Sequence, residues 1–353
     1  LLAPTGRAAK VFSLGSGAPA YTIHRRIYRE KAFAGVDGQF SLNDNLYTDT
    51  LFMVDEASMI ANMGLGGTTF GSGCLLDDLV KFVYQGHNDR LLLIGDKAQL
   101  PPVGEEESPA LSASVMEGYG LKVYECDLNE VLRQSQSSGI LYNATLIRQM
   151  ITHDAVTGLP LIRFKGFADI VMMPGAELVE SLGDSYHHVG MDETMVITRS
   201  NKRANIYNNG IRNMVLDREE ELSSGDMLMI VKNNYFWTEK EKKESGEGSA
   251  GAVPAFLANG DRAKVLRVSN YIELYGFRFA TLLLQLPDYD DYEMQVTGML
   301  DTLQSEAPAL THEQQEELFR QVEEDYQHFV PLKADRMKSI RQDAYFNALQ
   351  IKY

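Results

Sequence analysis

Residues 51–58 read Leu-Phe-Met-Val-Asp-Glu-Ala-Ser, which is an apolar run of four residues followed by two carboxylates. A second apolar run, at 91–94, is followed by Gly95 and Asp96. Uninterrupted apolar runs of this length are typical of strands that are buried on both faces of a parallel sheet. The segment between them, 74–84, has the apolar spacing of a helix, so the three segments together predict a β-α-β unit of an α/β fold.

Asp55 and Glu56 follow the first of these strands, at the carboxyl edge where open α/β sheets bind ligands. In a nucleoside triphosphatase, an Asp at this place holds Mg²⁺ and a Glu accepts a proton from the attacking water. An isolated Asp-Glu pair is more often an ordinary acidic strand end. However, residues 93–104 (LIGDKAQLPPVG) place Gln99 just before two prolines. Such a stiff loop can hold one amide where it senses a γ-phosphate, and the two runs together are a specific signal for that chemistry.

The size and composition of the chain set broad limits. Its 353 residues are enough for two or three domains, and 44% hydrophobic with 23% charged residues is typical of a globular protein. The net charge of −16 excludes a uniformly basic DNA-coating protein but not a local basic groove. Cys74 and Cys126 are too few for a disulfide framework or a structural zinc site. Because no apolar run approaches the ~20 residues of a membrane helix, we expect a soluble, cytoplasmic protein with no membrane partner.

Apolar periodicity also predicts elements in the rest of the first 220 residues. The pattern at 7–14 favours a helix. Residues 25–50 contain Asp37-Gly38 between short β runs, which indicates a hairpin. Residues 195–198 (MVIT) are typical of a third buried strand, and a helix is expected over 202–215.

From residue 225 onward, the pattern changes to short β runs separated by polar loops. The runs lie at 227–231, 263–268 and 279–286. They predict a small all-β module inserted into the α/β framework. Residues 239–251, rich in Lys, Glu, Gly and Ser, are expected to form a mobile loop. Residues 311–329 predict an acidic amphipathic helix with a capping box formed by Thr311 and Gln314.

Both ends of the sequence look like parts of strands. Leu1-Leu2-Ala3 runs into a Pro-Thr-Gly loop, and 348–353 alternate apolar and polar residues. A protein seldom begins with half of a buried strand, because the backbone groups of that strand would lack partners. We therefore expect the 353 residues to be an internal piece of a longer chain.

These segments resemble the superfamily 1 DNA helicases of the RecD-like, 5′→3′ branch, the family of the exodeoxyribonuclease V alpha-subunit-type ATPases. Segment 3–9 (APTGRAA) is similar to motif Ia of this family, and 22–25 (TIHR) is similar to the Thr-Ile-His that follows that motif. Segments 55–58 (DEAS), 95–103 (GDKAQLPPV) and 128–134 (LNEVLRQ) are similar to motifs II, III and IV, respectively. Weaker similarity to the second motor domain and to an SH3-like insertion covers 198–205, 225–235 and 259–261. The resemblance spans most of 1–270 and is strongest before residue 140.

The resemblance implies an α/β fold with two RecA-like P-loop NTPase motor domains, both incomplete here, a small hairpin insertion and an SH3-like all-β insertion. The first motor domain would comprise 1–24 and 51–145, and 25–50 would be either a strand-separating pin or a connector. The second motor domain would comprise 146–220. An SH3-like insertion with an acidic helical segment would follow at 221–345, and 346–353 would be a return strand to the second motor domain.

The resemblance also implies that ATP binds with Mg²⁺ between the two motor domains. Asp55 would hold the metal and Glu56 would activate water. Asp96 and Gln99, in the same motif, would contact the nucleotide, and Gln99 would couple the nucleotide state to the DNA. Arg133 would stabilise charge on the γ-phosphate, a contribution worth ~10³–10⁵ in rate for arginine fingers. Without the motif, a surface salt bridge would be an equally good interpretation of Arg133.

On the nucleic-acid side, the resemblance implies that Thr5 and Arg7 contact phosphates of the single strand and that His24 faces it. Simpler roles remain open, since Thr5 can cap the following helix and His24 can satisfy a hydrogen bond in the core. Tyr235 and Trp237 can stack on bases, although aromatic residues of a small barrel more often belong to its core.

The sequence also departs from the family. The Walker A pattern Gly-x-x-x-x-Gly-Lys-Ser/Thr is absent from the 353 residues. Residues 64–73 are rich in glycine but lack the lysine, so we expect a surface loop there. In this family the Walker A loop precedes motif Ia, and motifs V and VI follow the matched part. We therefore expect these motifs to lie beyond the two ends, and the 353 residues alone to be inactive.

The leading hypothesis is an ATP-dependent DNA helicase that translocates 5′→3′ on single-stranded DNA in repair or recombination. It would act on single strands or on duplexes with a 5′ tail, with a nuclease or repair protein as a further partner. The alternatives are an RNA helicase of the same superfamily and a non-catalytic motor subunit that binds DNA or a partner. No carboxylate cluster resembles a nuclease centre. Much of the acidic charge, after Thr311 and at 288–291, is expected to lie away from the DNA motifs.

Overall fold

A computed structural model describes residues 1–32, 39–63, 71–128, 138–152, 158–191, 193–245, 253–254 and 256–353. Up to residue 128 the described elements are β1 (Leu2–Ala3), α1 (Gly6–Ser16), β2 (Tyr21–Thr22), α2 (Ile23–Ile27), β3 (Tyr28–Ala32), β4 (Gln39–Leu42), β5 (Leu51–Val54), α3 (Leu75–Gln85), β6 (Arg90–Leu93) and α4 (Ala113–Gly118). None of the described helices is both long enough and apolar enough to cross a membrane.

The first module is a four-stranded parallel sheet in the order β2-β1-β5-β6. Phe52 pairs with Leu91 across β5 and β6, and Leu2 of β1 pairs with Val54. Helix α3 packs its apolar face on this sheet through buried side chains such as Phe82, whose ring meets the Phe52 ring edge to face at 5.9 Å. The predicted β-α-β unit is therefore confirmed, and so is the predicted helix after β1, which is α1. The expected burial of β5 and β6 on both faces is wrong, because Leu51 and Leu92 are 53% and 41% exposed.

The predicted hairpin is also present. Strands β3 and β4 pair antiparallel, with Tyr28 opposite Leu42, while the predicted turn at Asp37-Gly38 lies outside the described residues. The Tyr28 hydroxyl donates a hydrogen bond of 2.7 Å to the buried Asp78 of α3, and burial with this bond raises the pKa of Tyr28. The hairpin is thereby anchored to the sheet module at its base.

The middle of the chain is helical, with α5 (Gly139–Thr152), α6 (Leu178–His188) and α7 (Asn201–Met214). Helix α7 matches the predicted helix. The strand predicted at 195–198 is wrong, because these residues are irregular and Met195 and Ile197 are 84% and 88% exposed. An apolar run becomes a strand only where a neighbouring strand pairs with its backbone, and among the described residues no strand lies between β6 and Met227. A RecA-like sheet is therefore not seen in the described part of 146–220.

The second half is built around a closed five-stranded barrel in the order β10-β11-β7-β8-β9. Its elements are β7 (Met227–Ile230), α8 (Phe236–Ser245), β8 (Arg262–Leu274), β9 (Phe277–Leu286), β10 (Tyr292–Met299), α9 (His312–Phe329), α10 (Lys333–Arg341) and β11 (Leu349–Lys352). The predicted β runs are confirmed as β7, β8 and β9, and their alternate side chains fill the barrel core. The loop expected at 239–251 is wrong for its first residues, since Glu239 to Ser245 belong to α8.

The last strand differs from the expectation in its partners. The predicted strand is present as β11, but it pairs with β10 and β7 and so closes the barrel rather than returning to a second motor domain. The physical reason is its alternation, because Leu349 and Ile351 are fully buried in the barrel core. The predicted acidic helix is α9, and both hydrogen bonds of its capping box, between Thr311 and Gln314, are present.

Candidate nucleotide and nucleic-acid site

The parallel sheet brings most of the predicted site residues to one edge. Because β1, β2, β5 and β6 run in the same direction, their carboxyl ends lie side by side. The residues that follow these four strands are Thr5 and Arg7 after β1, His24 after β2, Asp55 and Glu56 after β5, and Asp96 and Gln99 after β6. Arg133 lies outside the described residues.

The acidic pair after β5 is held by the backbone around it. The amide of Asp55 donates a 3.0 Å hydrogen bond to the carbonyl of Leu2 in β1, and the Asp55 carboxylate accepts one of 3.0 Å from the Glu56 amide. Glu56 adopts a left-handed conformation, with φ 52° and ψ 37°, which is unfavourable for a residue with a side chain. Both side chains remain partly accessible at the sheet edge. A nucleophilic water or a hydrated ion can therefore reach them.

Gly95 allows the β5 and β6 ends to approach each other closely. A Cβ atom at this position would lie 3.0 Å from the amide nitrogen of Ser58, and the Ala57 amide donates a 2.9 Å hydrogen bond to the carbonyl of Ile94. The Ser58 hydroxyl in this turn is buried and has no hydrogen-bond partner in the described structure. A side chain at residue 95 would push the acidic turn away from the Asp96 loop.

Asp96 is engaged by a residue that the sequence analysis did not single out. Arg148 of α5 donates two parallel hydrogen bonds to its carboxylate, of 2.9 and 2.6 Å. The Arg148 hydrogen bond is the main reason that the pKa of Asp96 lies below its ordinary value, with the Ala98 amide adding to the effect. No sequence signal indicates this pair, because 52 residues separate its members. These two hydrogen bonds connect α5 to the loop that carries Gln99.

We expect Arg148→Met to destabilise the protein slightly and in a pH-dependent way. The pair is partly exposed, so its loss should lower the free energy of unfolding by about 1 kcal/mol or less at pH 7. Because the folded-state pKa of Asp96 is depressed, the contribution of the pair is complete above the unfolded pKa of Asp and is lost as the pH falls through the folded pKa. Urea unfolding of both proteins across pH 2 to 7 measures this.

The matched control is Lys97→Met, which removes a neighbouring positive charge that pairs with Glu125 instead. It should leave the pKa of Asp96 low, whereas Arg148→Met should raise it towards its ordinary value in a carboxyl NMR titration. An unchanged pKa of Asp96 in Arg148→Met would contradict the assignment.

Gln99 lies in the exposed loop that follows β6. The main-chain N–H of Gln99 donates a 3.1 Å hydrogen bond to the main-chain carbonyl of Asp96, and this bond closes a tight turn before Pro101 and Pro102. The side chain is exposed at the same edge as Asp55 and Glu56. The loop therefore presents the side-chain amide of Gln99 to solvent at that edge, where a ligand can contact it.

The donor set at this edge fits Mg²⁺ when phosphate oxygens complete its coordination. Mg²⁺ is usually held by one or two carboxylates together with water and substrate phosphates, and Asp55 and Glu56 supply such carboxylates. Among the described residues, no three His, Cys, Asp or Glu side chains converge to form a metal site by themselves. At this edge the phosphate oxygens of a bound nucleotide would complete the coordination of the ion.

The structure gives Thr5 and Arg7 local partners. Thr5 is the N-cap of α1, where its hydroxyl accepts a hydrogen bond of 3.2 Å from the Ala8 amide. Arg7 forms a 3.2 Å ion pair with Asp288 of the barrel. The expectation that the 288–291 loop lies away from the DNA motifs is therefore wrong, because closure of the barrel carries this loop back to α1.

His24 is mostly buried beside Tyr28, with 5.7 Å between the ring centres. Burial lowers the pKa of His24, so the ring is neutral at pH 7. A neutral ring contributes no ionic attraction to a phosphate. The geometry favours the structural role for His24, and contact with a strand would have to be through hydrogen bonding or stacking.

The two aromatic candidates of the barrel have different environments. Trp237 is 4% exposed and its indole N–H donates a 3.0 Å hydrogen bond to the carbonyl of Asn347, so it is a core residue and the stacking interpretation is wrong for it. Tyr235 stacks on Phe256 with 5.0 Å between ring centres. The exposed Arg25 of α2 lies 5.5 Å from both rings, so this contact joins the sheet module to the barrel.

Residues 1–157 match the family model of an AAA domain. The first part of the chain is thus similar to an AAA-type domain of the P-loop NTPase class, and it has the parallel sheet that this class requires. Domains of this class bind a nucleoside triphosphate, typically ATP with Mg²⁺. The match includes β1, β2, β5 and β6 and ends before the barrel.

Proposed function

We propose that the protein is an ATP-dependent DNA helicase of the RecD-like superfamily 1 type, which translocates 5′→3′ on single-stranded DNA. Its physiological role would be in DNA repair or recombination. The AAA-type domain supports ATP hydrolysis, and the motif resemblance supports DNA as the substrate.

One observation carries the proposal: the strand that leads to the nucleic-acid residues is paired directly with the strand that leads to the acidic pair. Leu2 of β1 pairs with Val54 of β5, and its carbonyl accepts the hydrogen bond from the Asp55 amide. A displacement at the nucleotide therefore reaches Thr5 and Arg7 across one pair of hydrogen-bonded strands. A motor needs such a short connection between hydrolysis and strand movement.

The proposal assigns a role to each residue of the sheet edge. Bound ATP with Mg²⁺ supplies the phosphoanhydride bond whose hydrolysis drives the motor. Asp55 would hold the ion, Glu56 would take a proton from the attacking water, and the exposed side-chain amide of Gln99 would sense the γ-phosphate. Arg133 is proposed, from the motif alone, to stabilise charge on that phosphate. The β3–β4 hairpin is proposed as the pin that splits the duplex.

The test uses the protein with its natural termini and three measurements. The first compares ATP hydrolysis stimulated by oligo(dT) and by oligo(rU) of equal length. The second measures displacement of streptavidin from biotin placed at the 3′ or 5′ end of a single strand. The third compares unwinding of duplexes that carry a 5′ or a 3′ tail.

A 5′→3′ DNA motor should be stimulated more by DNA, should displace streptavidin from the 3′ end and should prefer the 5′ tail. Equal or greater stimulation by RNA would instead assign an RNA helicase. DNA binding without any hydrolysis would assign a non-catalytic subunit. Either result would overturn the proposal.

A further inference from the structure

Two arginine side chains pair with one carboxylate where α1 meets the barrel, and a lysine lies beside them. The Asp288 carboxylate forms a 3.2 Å ion pair with Arg7 and a 3.0 Å ion pair with Arg262. The Lys10 ammonium donates a hydrogen bond to the main-chain carbonyl of Asp288 and lies 3.3 Å from the centre of the Tyr289 ring. Arg7, Lys10, Arg262 and Asp288 form a charged cluster at this contact.

The cluster bridges two modules. Arg7 and Lys10 lie one turn apart on α1, directly after the carboxyl end of β1, whereas Arg262 begins β8 and Asp288 follows β9. The two modules also touch beside the cluster, since the Arg7 guanidinium lies 3.3 Å from the carbonyl of Gly260. The arrangement therefore depends on how the barrel is seated on the sheet edge.

Close packing fixes the position of the barrel against α1. A Cβ atom on Gly6 would lie 2.4 Å from the Cβ atom of Ala258 in the barrel, so the first turn of α1 can approach this loop because residue 6 is glycine. The approach aligns the cationic face of α1 with Arg262. Both modules thus supply cations to the same point.

The electrostatics of the cluster indicate an anion site. Burial would raise the pKa of Asp288, but Arg262, with Arg7 and Lys10, outweighs it and holds the pKa below its ordinary value. Burial lowers the pKa of Lys10, while the charges of Asp261 and Asp288 oppose that effect. The two arginines bind the Asp288 carboxylate, and a phosphodiester, which has two free anionic oxygens, can accept hydrogen bonds from the same guanidinium groups.

We propose that Arg7, Lys10 and Arg262 form a binding site for a backbone phosphate of single-stranded DNA, and that the Asp288 carboxylate occupies this site when no strand is bound. The inference rests on the proposed function and adds to it a barrel residue, Arg262, and an internal competitor, Asp288. A phosphodiester and a carboxylate each carry one negative charge, so a bound strand replaces Asp288 charge for charge. The strand must then displace Asp288, which lowers the affinity of the site.

The experiment measures binding of a fluorescent oligo(dT) to the full protein by anisotropy, without nucleotide, over a series of salt concentrations. Asp288→Asn removes the competitor and should tighten binding about three- to tenfold, in keeping with the strength of a partly buried ion pair. The matched control is Asp291→Asn in the same loop. It removes an equal charge from an exposed neighbour and should change the affinity less than twofold.

The second variant tests the barrel side of the site. Arg262→Gln should weaken binding and reduce the slope of log K against log salt by about 0.7, the value for loss of one phosphate contact on a single strand. Oligo(rU) of equal length and inorganic phosphate are run in parallel. If Asp288→Asn increases the affinity for nucleic acid only, the backbone of the strand is the ligand. An equal increase in the affinity for inorganic phosphate would assign a small-anion site and overturn the proposal.

The inference can fail separately from the proposed function. If the wild-type protein is stimulated by DNA and translocates, but Asp288→Asn binds no more tightly than Asp291→Asn, then Asp288 is only a structural clasp between the modules. If Arg262→Gln leaves the salt slope unchanged, the barrel does not contact the strand. If no variant binds nucleic acid, the inference and the proposed function fail together, and thermal unfolding of each variant excludes misfolding as the cause.

Discussion

In the protein with its natural termini, Glu56→Gln is expected to reduce ATP hydrolysis in the presence of single-stranded DNA by about 10²–10⁴-fold, the usual contribution of a general base. Glutamine keeps the size and hydrogen-bonding capacity of the side chain but cannot accept the proton from water. The left-handed backbone of Glu56 is equally unfavourable for both residues, so the turn should keep its shape. The measurement is the turnover number at saturating ATP and oligo(dT).

ATP binding should survive this substitution, because Asp55 remains to hold the metal ion. Binding of a fluorescent ATP analogue separates loss of hydrolysis from loss of affinity. Glu106→Gln is the matched control, since Glu106 is an exposed acidic residue of the loop after Gln99. It should hydrolyse ATP at the wild-type rate. A Glu56→Gln protein that retains wild-type turnover would remove Glu56 from the mechanism.

The sheet edge could be predicted because its signals are local. The apolar runs of β5 and β6 end directly in the residues that carry the chemistry, and one α/β rule places all such ends together. The capping box of Thr311 and Gln314 was predictable for the same reason, since three residues separate its members. Local sequence is sufficient where the interaction itself is local.

Contacts between distant parts of the chain could not be predicted in this way. Arg148 reaches Asp96 across 52 residues, and Asp288 reaches Arg7 across 281. Both pairs depend on how whole modules pack together, and neither module has a charge pattern that identifies its partner. The acidic loop around Asp288 looked remote from the DNA motifs because its position depends on closure of the barrel.

In the middle of the chain, a local pattern predicted a strand that the structure does not contain. Residues 195–198 have the composition of a buried strand, yet the structure leaves them irregular and exposed. Composition describes what a segment can do, while pairing requires a partner with free backbone groups. The helix that follows, α7, was correctly predicted, and it packs against the barrel.

A buried charged cluster joins α7 to the start of β7. Asp226 is 2% exposed and accepts hydrogen bonds of 3.1 and 2.9 Å from Arg212 of α7, one of 2.7 Å from Arg218 and one of 2.7 Å from the Ser223 amide. Arg212 is itself 6% exposed and lies 4.5 Å from the ring centre of Tyr353, next to β11. Asp226 and Arg212 are thus enclosed between the helix and the barrel, while Arg218 is partly exposed.

We expect Asp226→Ala to lower the free energy of unfolding by about 3–5 kcal/mol, the usual result of removing one partner of a buried ion pair. The loss is large because Arg212 would remain buried with an uncompensated charge. Urea unfolding provides the measurement, with an unchanged m-value as the sign that stability alone has changed. Hydrogen exchange should locate the loss at α7, whose amides should lose protection before those of the barrel strands.

Two further variants decide whether the buried charge is the cause. Glu221→Ala breaks the exposed pair with Arg278 and should cost about 1 kcal/mol or less. The double variant Asp226→Ala with Arg212→Met removes both buried charges, and it should recover a large part of the stability that Asp226→Ala loses, because apolar replacement of a whole buried pair is often close to neutral. If the double variant is as unstable as Asp226→Ala, the cost comes from the lost contacts of Asp226 with Arg218 and with the Ser223 turn, and α7 does not depend on the pair with Arg212 for its position on the barrel.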